Sequence, residues 1–168
     1  TQSLSSAASD VYKRQHPDRA REVLTVATQM NFKTQLYSKL SQEDYEVCVI
    51  DSIGLLPDFY KGADLAFVGG SLVPRGGHNL IEPAVLGTPI IVGEHTFNFE
   101  EITANFINQD ACLLVRNKNE LYEAMQSLLE DENLRSRLSK NAEEVVSLNQ
   151  GSTETQVSYI LNRLGEEH

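Results

Sequence analysis

Short apolar runs alternate with segments of helical periodicity along most of the chain. Five short runs are typical of β-strands, and they cover residues 35–37, 47–50, 65–68, 89–92 and 112–115. Helical patterns lie between them, at 55–62, 79–86 and 99–108. Alternation with short connections favours a parallel sheet covered on both faces, so the sequence predicts a doubly wound α/β domain. Ligands of such domains bind at the carboxyl ends of the strands.

Helical patterns also flank this alternating region. Near the start, one face of a predicted helix carries four residues at helical spacing: Val23, Val26, Ala27 and Met30. Near the end, Asn117 and Glu120 form a capping box ahead of an amphipathic helix, and further helices are predicted at about 132–149 and 152–164. Residues 1–15 are rich in Ser and Ala and lack apolar periodicity, so we expect a foreign, unstructured segment there and a single domain over 16–168.

Composition narrows the function classes. With 40% hydrophobic residues in 168, the chain can build its own core. Its net charge of −10 repels nucleic acid, so we expect no nucleic-acid partner. No apolar stretch reaches the roughly eighteen residues of a spanning helix. Cys48 and Cys112 each lie in an apolar run far from the other, which predicts two buried, reduced thiols and no metal site.

Glycine concentrates the candidate chemistry, because eight of the ten glycines lie between residues 54 and 93. The densest segment, 67–84, contains a strand, a glycine pair, Pro74 and Arg75, a second pair at Gly76 and Gly77, and a helix start. Glycine-rich loops and helix N-termini bind phosphate, and Glu82 in the first helical turn can accept hydrogen bonds from a sugar diol. The alternative is structural: the glycines shape turns and Asn79 caps the helix.

Residues 69–84, followed by 93–99 (Gly-Glu-His-Thr-Phe-Asn-Phe), closely resemble the bacterial Kdo transferases, the 3-deoxy-D-manno-octulosonic acid transferases of lipopolysaccharide assembly. The resemblance covers His16 to about Leu164. It implies a GT-B glycosyltransferase, with two Rossmann-like domains facing across a cleft, of which this chain is the C-terminal, nucleotide-sugar-binding half. It also implies metal-independent transfer and no cofactor.

The resemblance further implies which residues contact the donor CMP-Kdo. The family's Arg-His segment corresponds to Gln15 and His16, and we attribute the missing arginine to the foreign segment. A second contact corresponds to Ile53, Gly54 and Leu55, where Leu55 replaces an acid and leaves only backbone contacts. The remaining candidates, from the resemblance and from the glycine-rich segment, are Arg75, Gly76, Gly77, His78, Asn79, Leu80, Ile81 and Glu82. His95 is a further candidate or a structural residue, and packing is favoured over a nucleobase wall for Phe97 and Phe99.

The expected reaction is transfer of Kdo from CMP-Kdo to a lipid A precursor. The resemblance places the catalytic base in an N-terminal domain, so no catalytic residue is expected here and the fragment is expected to be inactive alone. The same domain implies peripheral contact with the cytoplasmic face of the bacterial inner membrane. Two alternatives stay open: a GT-B transferase that uses a UDP-sugar, and a nucleotide-binding module without catalysis.

Overall fold

The computed structural model describes residues 17–165, and the side chains of residues 19–148 within them. The chain divides into two compact units, whose boundary falls between Leu56 and Pro57. The helices and strands, in chain order, are α1 (Pro17–Gln29), β1 (Thr34–Leu36), a 3-10 turn (Tyr37–Lys39), β2 (Val47–Val49), α2 (Leu56–Gly62), β3 (Ala66–Val68), α3 (Ile81–Val85), β4 (Ile90–Gly93), α4 (Glu100–Asn108), β5 (Leu113–Val115), α5 (Lys118–Glu130) and α6 (Glu132–Gly165).

The first unit pairs two parallel strands. β1 and β2 pair with Thr34 opposite Val47 and Leu36 opposite Val49. At their carboxyl ends, the Asp51 carboxylate accepts hydrogen bonds from the backbone N–H and the hydroxyl of Ser38, at 2.9 Å and 2.5 Å. These bonds, led by the one from the hydroxyl, lower the pKa of Asp51. Asp51 therefore ties the ends of the two strands together.

The predicted apolar face of α1 is partly wrong. Val23 and Ala27 are half-buried, but Val26 and Met30 are 55% and 65% exposed. Leu24 is half-buried instead, so the half-buried face runs through 20, 23, 24 and 27, over about two turns of the helix. The hydrophobic pattern allowed two overlapping faces, and packing buries the one that contains Leu24 and not the one that contains Val26 and Met30.

The second unit contains a three-stranded parallel sheet in the order β3–β4–β5. Alternate residues of β4 enter two different cores: Ile90 and Val92 pack in one, with Phe106 of α4, and Ile91 packs in the other, with Leu128 of α5. Side chains that alternate along a strand point to opposite faces of its sheet, so both faces are covered, as predicted. The α/β fold with parallel strands is confirmed, with the strands divided between two separate sheets.

α6 differs from prediction because it is one helix over Glu132–Gly165, where two were expected. Gly151 lies between the two predicted helices, but one glycine costs only about 1 kcal/mol relative to alanine and does not end a helix. The first part of α6 serves both faces of the sheet: Leu138 belongs to the core with Ile91, and Ala142, Val145 and Val146 belong to the core with Val92.

Both cysteines are buried and unpaired, as predicted. Burial is the main cause that raises the pKa of each thiol, in Cys112 to about 12. The described helices include none that is long and apolar enough to cross a bilayer.

Candidate functional site

Two loops meet at the carboxyl edge of the three-stranded sheet. The glycine-rich loop, residues 69–80, follows β3, and the second loop, residues 94–99, follows β4. β3 and β4 are neighbours and parallel, with Val68 opposite Val92, so the two loops begin side by side. Their meeting point is where a ligand of a doubly wound domain binds.

Ser71 connects the two loops from within. Its side chain is 0% exposed, and its hydroxyl donates to the Val68 carbonyl at 2.5 Å and accepts from the Gly93 N–H at 2.8 Å. The Ser71 carbonyl accepts from the N–H of His95 at 2.9 Å. A Cβ added to Gly93 would lie 2.3 Å from the carbonyl carbon of Ser71, so only glycine allows this contact between the two backbones.

The glycine pairs close the first loop on itself. Gly70, Gly76 and Gly77 have φ of 72°, 90° and 69°, which is the left-handed region that favours glycine. The N–H of Gly77 donates to the carbonyl of Gly70 at 3.2 Å, and this bond joins the two pairs. Gly76 is buried, and its own N–H has no acceptor among the residues that the structure describes.

Asn98, in the second loop, forms two hydrogen bonds to the glycine-rich loop at Arg75 and Gly76. Its backbone N–H donates to the Gly76 carbonyl at 3.2 Å, and its side-chain Nδ2 donates to the Arg75 carbonyl at 3.3 Å. A Cβ on Gly76 would lie 2.2 Å from that Nδ2 and 2.7 Å from a ring carbon of Phe97. Phe97 is 62% exposed, and its ring covers the backbone of Gly76 from the surface.

Arg75 stands at the surface end of the glycine-rich loop. Its side chain is exposed, and within the described part of the chain it forms no ion pair. Its N–H donates to the Val73 carbonyl at 2.6 Å, which closes a tight turn. The guanidinium group is therefore a cation on a backbone that is held in place, with solvent access for an anion.

The helix after the loop is shorter than predicted. α3 spans five residues, and its start is stabilised by Asn79, whose side-chain oxygen accepts from the Ile81 N–H at 3.0 Å. The structural alternative thus holds for that oxygen of Asn79. Leu80 is 0% exposed and Ile81 packs against the same core, so only their backbones can face a ligand. A helix of five residues has a small dipole, which leaves less electrostatic support for phosphate than expected.

Glu82 lies in the first turn of α3, half-buried. Its carboxylate acts electrostatically on Tyr60 of α2, and burial together with this negative charge raises the pKa of Tyr60 to about 12. The turn that follows α3 is joined to α2, because the Thr88 hydroxyl donates to the Tyr60 carbonyl at 2.7 Å. Glu82 is therefore a carboxylate held on a packed element, as a residue that receives hydrogen bonds from a ligand must be.

The family model for the glycosyl transferases group 1 matches residues 7–145, most of the chain. The chain belongs to the group 1 glycosyl transferases. Among the proteins similar to this glycosyltransferase chain is the 3-deoxy-D-manno-octulosonic acid transferase of Haemophilus influenzae, 36% identical over 140 residues, which are 82% of this chain and 33% of that relative. The chain thus spans about a third of the length of the curated relatives that it matches.

Two solved structures extend this similarity of the glycosyltransferase chain. The C-terminal CMP-Kdo binding domain of WaaA from Acinetobacter baumannii is 33% identical, with a TM-score of 0.73 over 78% of this chain and 69% of that one. The resemblance to the C-terminal domain of the Kdo transferases is confirmed. Sucrose-phosphate synthase from Thermosynechococcus elongatus is 22% identical, with a TM-score of 0.62 over 95% of this chain and 37% of the synthase chain. This similarity shows a shared fold.

The predicted donor contacts of the glycosyltransferase domain divide between its units. Arg75, Gly76, Gly77, Asn79 and Glu82 lie in the second unit, on the glycine-rich loop and α3. The loop after β2 in the first unit carries Ile53, Gly54 and Leu55; Ile53 is 87% exposed, Gly54 has φ of 88°, and Leu55 is half-buried. His16 lies outside the described residues, as does the segment 1–15.

The two histidines of the glycosyltransferase site are placed differently. The ring of His78 lies near Gly70, since a Cβ there would be 3.7 Å from its Nε2. His95 is half-buried, and its Nε2 lies 3.9 Å from a Glu94 carboxylate oxygen. Across the described residues, no group of three or more His, Cys, Asp or Glu could hold a metal ion.

Sequence reasoning missed Ser71 and Asn98, the residues that join the two loops of the glycosyltransferase domain. Each lies inside a segment that carried the family resemblance, but neither has a side chain that marks a binding site. The available signal was the prediction of parallel strands that end at one edge, which places the two following loops together. That signal locates the loops and leaves the individual bonds between them undetermined.

Proposed function

We propose that this domain binds the nucleotide sugar CMP-Kdo and is the donor-binding half of a Kdo transferase of lipopolysaccharide assembly. The observation that carries the proposal is the pair of joined loops at the sheet edge, which holds the cationic Arg75 beside the Gly76 N–H, a donor without an acceptor among the described residues. The similarity to the CMP-Kdo binding domain of the Acinetobacter protein supports this donor over others.

Arg75 and the Gly76 N–H together suit a single phosphate. CMP-Kdo contains one phosphate group, and CMP leaves with additional negative charge when the glycosidic bond breaks. A guanidinium group and a backbone donor near that phosphate stabilise the developing charge. Gly77 contributes less than expected, because its N–H is already donated to Gly70.

Glu82 and Asn79 are proposed to bind the ribose. The Glu82 carboxylate accepts hydrogen bonds from ribose hydroxyls, as acids do in other nucleotide sites. The side-chain oxygen of Asn79 accepts from the Ile81 N–H, so the side-chain NH2 group is the part of Asn79 that is left for the nucleotide. The backbones of Leu80 and Ile81 connect these two residues, and His78 lies directly before them.

In the first unit, His16 and the loop 53–55 are proposed as donor contacts. The exposed side chain of Ile53 offers an apolar surface to the nucleotide, and the backbones of Gly54 and Leu55 offer hydrogen bonds. These assignments are supported by the family motif at those positions, with the substitution at Leu55 that removes a side-chain acceptor.

Catalysis requires parts that we place outside this chain. The chain spans about a third of its curated relatives, and in our proposal the remaining part supplies the base that activates the lipid A precursor hydroxyl. The same part is proposed to hold the enzyme peripherally on the cytoplasmic face of the bacterial inner membrane. The isolated domain then recognises the donor without completing transfer, with no metal or cofactor.

Nucleotide-dependent thermal stability tests the donor assignment. CMP, UMP and UDP are each added to the 168-residue chain at equal concentration, with cytidine as the control that lacks phosphate. We expect CMP to raise the melting temperature most, because a ligand that binds only the folded state stabilises it, by about 1.4 kcal/mol at ten times the Kd. A larger shift with UDP contradicts the CMP-Kdo proposal and favours a UDP-sugar transferase.

A further inference from the structure

One residue of the second loop contacts two consecutive residues of the glycine-rich loop. The Asn98 N–H donates to the Gly76 carbonyl at 3.2 Å, and the Asn98 Nδ2 donates to the Arg75 carbonyl at 3.3 Å. The sequence separation between the two sides exceeds twenty residues, so the contact is tertiary and belongs to neither loop alone.

The second of these bonds fixes the direction of a free donor. The Arg75 carbonyl and the Gly76 N–H belong to the same peptide group, which is planar and trans, so they point in opposite directions. When the side chain of Asn98 holds the carbonyl, the N–H is turned to the other side of the peptide plane. That N–H is the one that finds no acceptor within the described part of the chain.

We infer that Asn98 is a positioning residue. It holds the Arg75–Gly76 peptide so that the Gly76 N–H and the start of the Arg75 side chain face the donor phosphate. This inference rests on the proposed function for the identity of the ligand. Asn98 acts through these two residues and does not itself touch the phosphate. The loop after β4 is thereby part of the donor site, although none of its residues carries the charge that binds.

The space around Gly76 supports this role. A Cβ at position 76 would lie 2.2 Å from the Asn98 Nδ2 and 2.5 Å from its Cγ. The amide of Asn98 therefore occupies the volume that any other residue at position 76 would fill. Glycine at 76 and the amide at 98 fit as a pair, with the exposed ring of Phe97 against the same backbone.

Trypsin tests the positioning claim without any ligand. Trypsin cleaves after Arg75 only when the loop opens, so the cleavage rate reports how firmly the Arg75–Gly76 peptide is held. The rate is measured on the whole chain as the appearance of a fragment that begins at Gly76, by mass spectrometry. We expect Asn98→Ala and Asn98→Ser, whose side chains cannot reach the Arg75 carbonyl, to accelerate this cleavage about fivefold or more.

Asn108→Ala is the matched control, because Asn108 is an exposed asparagine at the far end of α4. It should leave cleavage after Arg75 at the wild-type rate. The melting temperature of each variant shows that the domain is folded during the assay. Equal cleavage rates in wild type and in a folded Asn98 variant would overturn the inference.

Nucleotide binding tests the consequence for the phosphate. Calorimetry with CMP and with cytidine gives, for each variant, the ratio of the two dissociation constants. We expect Asn98→Ala to weaken CMP binding about tenfold and cytidine binding less than about twofold, because cytidine has no phosphate for the Arg75–Gly76 peptide to contact. Asn108→Ala should keep the wild-type ratio.

The outcomes separate this inference from the proposed function. A wild-type chain that binds CMP no better than cytidine contradicts the proposed donor site, and the trypsin result still decides whether Asn98 holds the peptide. If wild type prefers CMP but Asn98→Ala loses CMP and cytidine equally, Asn98 is only structural and the inference is wrong.

Discussion

Gly93→Ala is expected to destabilise the second unit strongly. The new Cβ would lie 2.3 Å from both the carbonyl carbon and oxygen of Ser71 and 2.6 Å from the nitrogen of Leu72. All three atoms are backbone, so no side-chain rotation can relieve the contact. Relief requires that the glycine-rich loop moves away from the end of β4.

Two contributions set the size of the effect. Overpacking of a filled interior costs about 1–3 kcal/mol when backbone must shift. Moving the loop also stretches the bond between the Gly93 N–H and the Ser71 hydroxyl, both of which are buried, and a lost hydrogen bond costs about 1 kcal/mol. The sum is about 2–4 kcal/mol, which for a chain of this size lowers the melting temperature by roughly 4–16 °C.

Circular dichroism during heating and in urea is the suitable assay, because the chain has no tryptophan. Gly62→Ala is the matched control: a Cβ there meets no atom within 4 Å, and its φ is not positive. We expect its melting temperature to stay within a few degrees of wild type. If Gly93→Ala melts together with Gly62→Ala and wild type, the two loops are not in the close contact described, and the reasoning about the joined site fails with it.

Three further predictions concern charge. Arg75→Ala should weaken CMP binding more than cytidine binding by about 1–3 kcal/mol, measured by calorimetry, and added salt should narrow the difference; equal losses would mean that Arg75 only shapes the loop. In a full-length enzyme, Glu82→Gln should lower kcat/KM for CMP-Kdo by a factor that corresponds to about 1.5–3 kcal/mol of lost transition-state stabilisation, while the fold is kept. Unchanged kinetics would return Glu82 to a structural role. The raised pKa of Tyr60 means that the folded state binds its proton more tightly, so its stabilising contribution is complete below pH 10 and is lost towards pH 12; Tyr60→Phe should make urea midpoints fall less steeply over that range, and identical slopes would refute the assignment.

Four of the five strands, β2 to β5, were predictable because each lies in a short apolar run bounded by glycine, proline or polar residues. Every predicted strand is present within one residue of its expected bounds. The cap of α5 was equally local: the Asn117 side chain accepts from the N–H groups of Asn119 and Glu120, as its capping box predicted. Local chemistry determines such features, so a single sequence is enough to find them.

Features that depend on tertiary contacts were less predictable. Val26 and Met30 fit helical periodicity, but which of two overlapping faces is buried depends on what packs against α1. The candidate site shows the same division. Arg75 and Glu82 were found from residue type and motif, whereas Ser71 and Asn98 act through atoms of another loop. Their roles follow from the register of β3 and β4, which a sequence alone does not specify.

The position of α6 has a consequence for synthesis on the ribosome. Both faces of the three-stranded sheet use α6, one through Leu138 and the other through Ala142, Val145 and Val146. A nascent chain that has emerged only as far as α5 therefore has strands whose apolar faces are both incomplete, and neither half of the core can close early. Until residue 146 leaves the exit tunnel, both cores leave apolar surface uncovered, and exposed surface of that kind makes a partly folded chain prone to aggregation.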